Sequence, residues 1–373
     1  WVREQAIPKI TRSLDSGEIA VAFRLLRRAD AILPDDPALR QIHRETSVPT
    51  AFSTNPPGAE VWATGYAPDD NDWVRLGVKP FTSNELPFGI YRFRIVKPGF
   101  HTVLGSGEVS AGTKLQFDLD PVGFLPPDMV RVPGGTASTG QNNAQVNAFL
   151  VDRYETTNRQ YKEFVDRGGY RKREYWKEDF GQNGRKLSWE EAMQLFVDLT
   201  GRPGPAAWKL GGYPQGHDDY PVSGVSWYEA AAYAEFAGKQ LPTIFHWQRA
   251  ASPGWFTNIA NLSNFKGDGP APVGAYKGIG AFGTLDMAGN VKEWCWNETG
   301  PIGRPRRYIR GGAWNEPAYM FPVLDARLPW DRSAQNGFRC VRYDVSKESG
   351  VQASVTKPVR DFNKATPAPD EVF

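Results

Sequence analysis

The sequence predicts a multidomain α+β protein, and three observations carry that prediction. Apolar residues recur at helical spacing near the start, period-two alternation follows, and the second half replaces periodicity with aromatic and turn-forming residues. A chain of 373 residues is long enough for two or three cores. Its 38 Gly and 30 Pro sit beside 13 Trp and 14 Tyr, too aromatic for disorder and too rich in turn formers for helix bundles. Lys plus Arg total 44 against 42 Asp plus Glu, so the charge balance points to no nucleic-acid partner and no basic membrane patch.

The first segment, 1–46, reads as helical. Ile19, Ala22, Phe23, Leu26, Ala29 and Leu33 place one apolar stripe on a helix, Pro34-Asp35-Asp36-Pro37 stops it, and Ala38-Leu39-Arg40-Gln41-Ile42 begins another. Asp15 to Pro37 is similar to one tetratricopeptide unit. Such units ordinarily need neighbours to cover their faces, which leaves a helical spacer as the plainer reading.

In the second segment, 47–123, Ala59 to Ala63, Tyr91 to Val96 and Leu115 to Leu119 alternate as half-buried strands do. Asn55-Pro56-Pro57-Gly58, Leu86-Pro87-Phe88-Gly89 and Lys97-Pro98-Gly99-Phe100 are turns in which Gly supplies positive φ and Pro fixes φ. These motifs resemble the PEGA domain, a small β-sandwich, and the resemblance implies an extracytoplasmic, non-catalytic module.

The third segment, 124–343, opens with strands at Met129 to Val132 and Phe149 to Asp152. Thr157 or Asn158 then caps a helix carrying Tyr161 and Phe164. Ser188-Trp189-Glu190-Glu191 and Ser226-Trp227-Tyr228-Glu229 are capping boxes, in which Ser accepts from the third amide while Glu reaches back. Gly238 suits a left-handed stop, and Thr243 caps a short helix with His246 and Trp247. The tail, 344–373, is polar and patternless and reads as a linker. The chain starts on Trp1 and ends on Phe373, which reads as an excised piece of a longer protein.

Landmarks of the third segment follow in a fixed order. They include Val130-Arg131-Val132-Pro133-Gly134-Gly135, Asp152-Arg153-Tyr154-Glu155, Met287-Ala288-Gly289-Asn290-Val291-Lys292-Glu293-Trp294, Arg310-Gly311-Gly312-Ala313-Trp314 and Asn336-Gly337-Phe338-Arg339-Cys340. The set resembles the formylglycine-generating enzyme (sulfatase-modifying factor) superfamily, which implies a C-type-lectin-like fold with little regular structure. Enzymes of that family hold copper(I) with two cysteines between the Gly-Gly-x-Trp and Gly-Phe-Arg-Cys landmarks. Here that window, Asn315 to Gln335, contains no cysteine. Copper(I) is soft and wants thiolate, and Met320 alone cannot supply it, so copper is not expected.

Other superfamily members are iron enzymes with histidine ligands. This chain has His43, His101, His217 and His246, of which only the last two lie in the third segment, so iron is not expected either. Calcium is the expected ion, since it takes hard oxygen donors. The resemblance places Asn290, Val291 and Glu293 at one site and Asn264, Phe265 and Asp268 at a second. The alternative for the first is that Asn290 makes a turn while Glu293 pairs with a core arginine such as Arg339. Cys295 and Cys340 are candidates for one disulfide or for two buried thiols, and Cys340 matches a structural cysteine of the family.

The family's cleft position falls on Trp314, Tyr319, Met320, Phe321, Asp325, Arg327 and Trp330, the expected ligand contacts, with core packing as the competing use of the aromatics. No catalytic residue is assigned. The expected function is a ligand-binding or sensor region taking a small molecule, peptide or glycan, and the alternative is a metal-dependent oxidase or oxygenase of the superfamily. The domain order resembles extracytoplasmic regions of modular bacterial serine/threonine kinases, which implies a kinase domain before Trp1 in a larger, membrane-anchored parent. This region itself is expected to make no membrane contact.

Overall fold

The computed structural model describes the chain except for residues 68–71, 79, 84–85, 141, 183, 253–255, 266, 302–304, 344–349 and 356–373. A π-helical turn, Val2–Ala6, runs into helices α1 (Ile7–Asp15), α2 (Ile19–Ile32) and α3 (Pro37–Thr46). Asp36 caps α3 by accepting from the Ala38 amide, and Pro37 at the first helical position gives up no bond there. The apolar stripe of α2 faces two ways. Leu26 and Ala29 pack with Ile10 and Leu39 of the other helices, whereas Phe23 enters the core of the strands that follow. Leu33 falls just beyond the helix and is exposed.

Seven strands come next: β1 (Thr50–Asn55), β2 (Glu60–Gly65), β3 (Val74–Gly77), β4 (Phe81–Ser83), β5 (Gly89–Val96), β6 (Val103–Val109) and β7 (Lys114–Asp118). They form an antiparallel sheet ordered β3-β2-β5-β6 and a three-stranded sheet ordered β4-β1-β7, in which β1 and β7 run parallel. Phe52, Val61, Tyr91, Phe93 and Ile95 fill one core from both sheets. The Phe23 ring meets Tyr91 edge-on at 5.3 Å, so the sheets cover the face that a lone helical pair would leave wet.

The C-terminal domain contains β8 (Met129–Val132), the hairpin β9 (Gly135–Thr139) and β10 (Asn142–Val146), and β11 (Phe149–Asp152). Helix α4 (Asn158–Asp166), the two-residue strands β12 (Gly181–Gln182) and β13 (Arg185–Lys186), and helices α5 (Trp189–Met193), α6 (Trp227–Phe236), α7 (Ile244–Ala251) and α8 (Phe256–Asn261) follow. Strands β14 (Lys292–Thr299), β15 (Arg306–Arg310), β16 (Asp325–Arg327), β17 (Asn336–Gly337) and β18 (Val341–Arg342) complete it. Capping boxes form at Thr157, Ser188 and Ser226, and Thr243 caps α7. The sheet β16-β15-β14-β17 is central, and β18-β11-β8 joins the domain's last strand to its first and fourth.

Two apolar cores flank the central sheet. One gathers Phe149, Trp247, Met287 and Phe321, and the other gathers Tyr161, Phe164, Trp227, Trp294 and Phe338. The tail departs from a bare linker: Val351 and Val355 are buried in the first core, and Asn297 donates to the carbonyls of Val351 and Ala353 at 2.7 and 2.8 Å. No helix among the described residues is long and apolar enough to cross a membrane.

The strand-rich unit docks directly on the C-terminal domain. Tyr66 and Ser106 both donate to the Ile279 carbonyl, at 2.7 and 2.9 Å. A Cβ on Gly105 would lie 2.4 Å from the Ala281 carbonyl oxygen, so this approach of two backbones requires glycine.

Candidate functional site

The segment Asp286 to Asn297 begins as a turn and ends as the middle of the central sheet. Asp286 and Asn290 adopt left-handed conformations, φ 57° and 60°, which short polar side chains tolerate better than most. The turn presses Gly289 onto the Asn264 backbone, and the Asn290 amide donates to the Asn264 carbonyl at 2.9 Å. Strand β14 then carries Lys292, Glu293, Trp294 and Cys295 through the interior, all of them buried.

The side chains of Asn290 and Glu293, two of the residues expected at the first calcium site, are already engaged. Asn290 Oδ1 accepts from the Ala271 amide at 2.8 Å and from Asn264 Nδ2 at 3.2 Å, while its Nδ2 donates to Glu155 Oε2 at 2.6 Å. The Val291 amide donates to Glu155 Oε1 at 3.0 Å. Both oxygens of Glu293 receive the fully buried Arg339, at 2.7 and 2.8 Å, and Trp247 Nε1 donates to one of them at 2.7 Å. A cation would have to displace a guanidinium and an indole from Glu293. In this arrangement Asn290 makes a turn and Glu293 pairs with Arg339.

Three buried carboxylates therefore sit within electrostatic reach of one guanidinium. Burial pushes Glu293 above the usual carboxylate range against the pull of Arg339. Asp286 is pushed up to about 6, chiefly by burial, although it accepts from the Gly274 amide at 2.6 Å. Glu155 is pushed well above the ordinary value by burial first and by the charges of Asp286 and Glu293 next.

The second expected site differs. Asn264 Oδ1 is buried without a hydrogen-bond partner, while its Nδ2 donates to the Gly269 carbonyl at 3.0 Å. The loop closes around that oxygen, for a Cβ on Gly267 would lie only 2.6 Å from it. Asp268 in the same loop is exposed, and Phe265 buries its ring in the first core. An orphaned amide oxygen with a nearby carboxylate in a tight loop is a donor set that fits a hard cation. Among the described residues no group of three or more His, Cys, Asp or Glu side chains is arranged to hold a metal.

The residues expected to line one cleft divide between different environments. Phe321 is fully buried and meets Trp247 edge-on at 6.0 Å, so it is core and not a ligand contact. Trp330 stacks on Phe196 at 5.2 Å and packs against Tyr228 at 4.8 Å, joining the second aromatic core. Trp314 is half-buried, donates its backbone amide to the Asn290 carbonyl, and has a buried Nε1 with no partner. Tyr319 is 63% exposed, and Met320 packs over Gly312.

Asp325 and Arg327 belong to an ion cluster that the sequence reading missed. Lys292, with only 3% of its side chain exposed, donates to Glu316 at 2.6 Å and Asp325 at 2.7 Å, and Arg327 reaches Asp325 at 3.2 Å. Lys292 opens β14 between the apolar Val291 and the buried Glu293, and a buried lysine needs carboxylate partners.

Of the two alternatives for the cysteines, a disulfide or two buried thiols, the structure holds the second. Cys295 and Cys340 are free thiols in different apolar cores, and burial holds both far above the ordinary thiol range, where no thiolate forms. The histidines are likewise apart. His217 stacks on Tyr220 at 4.1 Å, and His246 is buried between Phe149 and Tyr343.

Comparison with known proteins agrees with this domain. Residues 117–344 match the family model described as sulfatase-modifying factor enzyme 1-like domain. A hercynine oxygenase of Mycobacterium tuberculosis is 32% identical over 239 residues, covering 50% of this chain and 53% of that protein. A formylglycine-generating enzyme of Thermomonospora curvata is 28% identical over 286 residues, covering 57% of this chain and 92% of that protein. The serine/threonine-protein kinase Pkn1 of Chlamydia trachomatis is 27% identical over 251 residues, covering 58% of this chain and 38% of the kinase. The chain thus spans about half the length of the first curated relatives it matches. Carrying the family's domain over more than half its length, the chain belongs to the sulfatase-modifying factor enzyme 1-like family.

Proposed function

We propose that this chain is a non-catalytic ligand-sensing region that has kept the family's scaffold and replaced its chemistry. The observation that carries the reading is an ion cluster: Glu316 and Asp325, from the window where the family's copper-binding cysteines would lie, hold the buried Lys292. Hard ammonium and carboxylate groups offer a soft copper(I) ion nothing, and the two thiols that exist are buried elsewhere as neutral groups.

The ligand face we favour is the rim of that cluster. Tyr319, Val323 and Leu328 are exposed there beside the half-buried Trp314, Met320 and Arg327. Exposed apolar side chains around a fixed charge cluster are what a peptide, glycan or small-molecule contact surface requires. The similarity to a kinase supports a parent protein in which this region reports to an N-terminal kinase domain, with the strand-rich unit as a PEGA-like spacer after a tetratricopeptide-like helical hairpin. An extracytoplasmic position in an anchored parent belongs to the same reading.

Calcium at Asn264 is part of the proposal, with the Phe265 carbonyl and Asp268 as further donors. Titration calorimetry with calcium chloride should show binding by the full chain that N264A and D268A each abolish. Unchanged binding in both variants, or none in the wild type, would remove calcium from the account. N290A should leave binding in place, because its amide oxygen is held by two N–H groups.

A further inference from the structure

A cavity of about 430 Å³ lies on the seam between the seven-stranded unit and the C-terminal domain. Its walls mix charged groups with an apolar side formed by Val103 and Leu104 of β6, Leu125 of the connecting segment, Met129 of β8, and Phe282. The volume suits a small organic ligand.

Arg153 stands apart from the other charged groups of the lining. Arg131 is held by Asp120 through contacts of 2.5 to 3.1 Å. Asp118 accepts from the Asn55 amide group at 3.3 Å, and His101 Nε2 accepts from the Gly123 amide at 3.2 Å. Asp128, the remaining acid, is exposed. Arg153 has no ion pair with any described residue, and its Nε is buried without a hydrogen-bond partner. Its backbone is nonetheless fixed: its amide donates to the Asp128 carbonyl at 2.7 Å, and its carbonyl accepts from Arg339 and from the Leu285 amide at 3.0 and 2.8 Å. A guanidinium on an anchored backbone, facing the cavity without an ion pair to any of the aspartates that share its lining, is arranged for a planar oxyanion.

We propose that this cavity binds a monocarboxylate carried on an apolar body, with Arg153 taking the carboxylate and Leu104, Met129 and Phe282 taking the body. A single negative charge is favoured over a phosphate, because Asp118, Asp120 and Asp128 in the same lining oppose a dianion. The site shares no residue with the rim around Lys292, so it stands or falls independently of the sensing role proposed there.

The test uses the full chain and matched pairs of probes in titration calorimetry: 3-phenylpropionate against 3-phenylpropionamide, and N-acetyl-Leu-Phe against its C-terminal amide. Acids should bind and amides should not. Binding of phenylpropionate identifies a free small acid as the source, whereas binding of the acetyl dipeptide acid alone identifies a peptide C-terminus. R153M should weaken acid binding by about tenfold or more. R153K, which keeps the charge without the planar fork, should fall between the two and covers the case in which R153M fails to fold. Equal binding of acid and amide, no binding of either acid, or undiminished acid binding by a folded R153M or by R153K would overturn the proposal.

Discussion

At the scale of single residues, the centre of the domain is a charge problem solved by pairing and protonation. Arg339 is fully buried and both of its strongest bonds go to Glu293. E293A leaves that guanidinium without its counter-ion and should cost about 3 to 5 kcal/mol in urea denaturation, whereas a loss under 1 kcal/mol would refute the assignment. Asp286 sets a pH dependence. Its folded value of about 6 lies above its ordinary 3.8, so the folded state holds the proton more tightly than the unfolded chain. Its contribution to stability is complete below pH 3.8 and is lost as pH rises to about 6. D286N, which has no proton to lose, should flatten that part of the stability profile; an unchanged slope would contradict it. The sequence exposed Asn290 and Glu293 as special and even named Arg339 as a partner. It concealed Glu155, because the Asn290–Glu155 contact spans 135 residues and only the fold brings the two together. Lys292 was overlooked for the same reason, its carboxylate partners lying in the loop before β16 and in β16 itself.

At the scale of elements, what was legible was local. The boxes at Ser188 and Ser226 and the cap at Thr243 are closed by neighbours three residues away, so spacing alone reveals them. Strand pairing was not, since β18 joins β11 and β17 joins β14 across long intervals of chain. Helix α2 shows the limit well. Its stripe was visible, but not that Phe23 leaves the helical core to meet Tyr91 of β5, where Ile19 also packs over Gly89. F23A should cost about 3 kcal/mol or more and should speed amide exchange in both α2 and β5. Faster exchange in α2 alone would show that the helices fold apart from the sheets. The tail was misjudged for a comparable reason: two valines spaced among polar residues carry no period, yet Val351 and Val355 fill places in a core built elsewhere.

At the scale of the whole molecule, the strand-rich unit is a fixed part of the C-terminal domain's surface. Tyr66 and Ser106 share one carbonyl, Gly105 admits a second backbone, and Arg131 is tied to Asp120 across the connection. G105V should split a single calorimetric unfolding transition into two, and one transition at unchanged temperature would argue that the seam is loose. A rigid seam suits a region that passes a binding event along a chain, which is the role proposed for this family member. The central claim is that the scaffold has lost its redox chemistry. Oxygen consumption, followed on the full chain after loading with copper(I) or iron(II) and addition of a cysteine-containing peptide, tests it most directly. The account predicts a rate equal to that of metal and peptide without protein. Protein-dependent oxygen uptake with oxidation of the peptide thiol would contradict it.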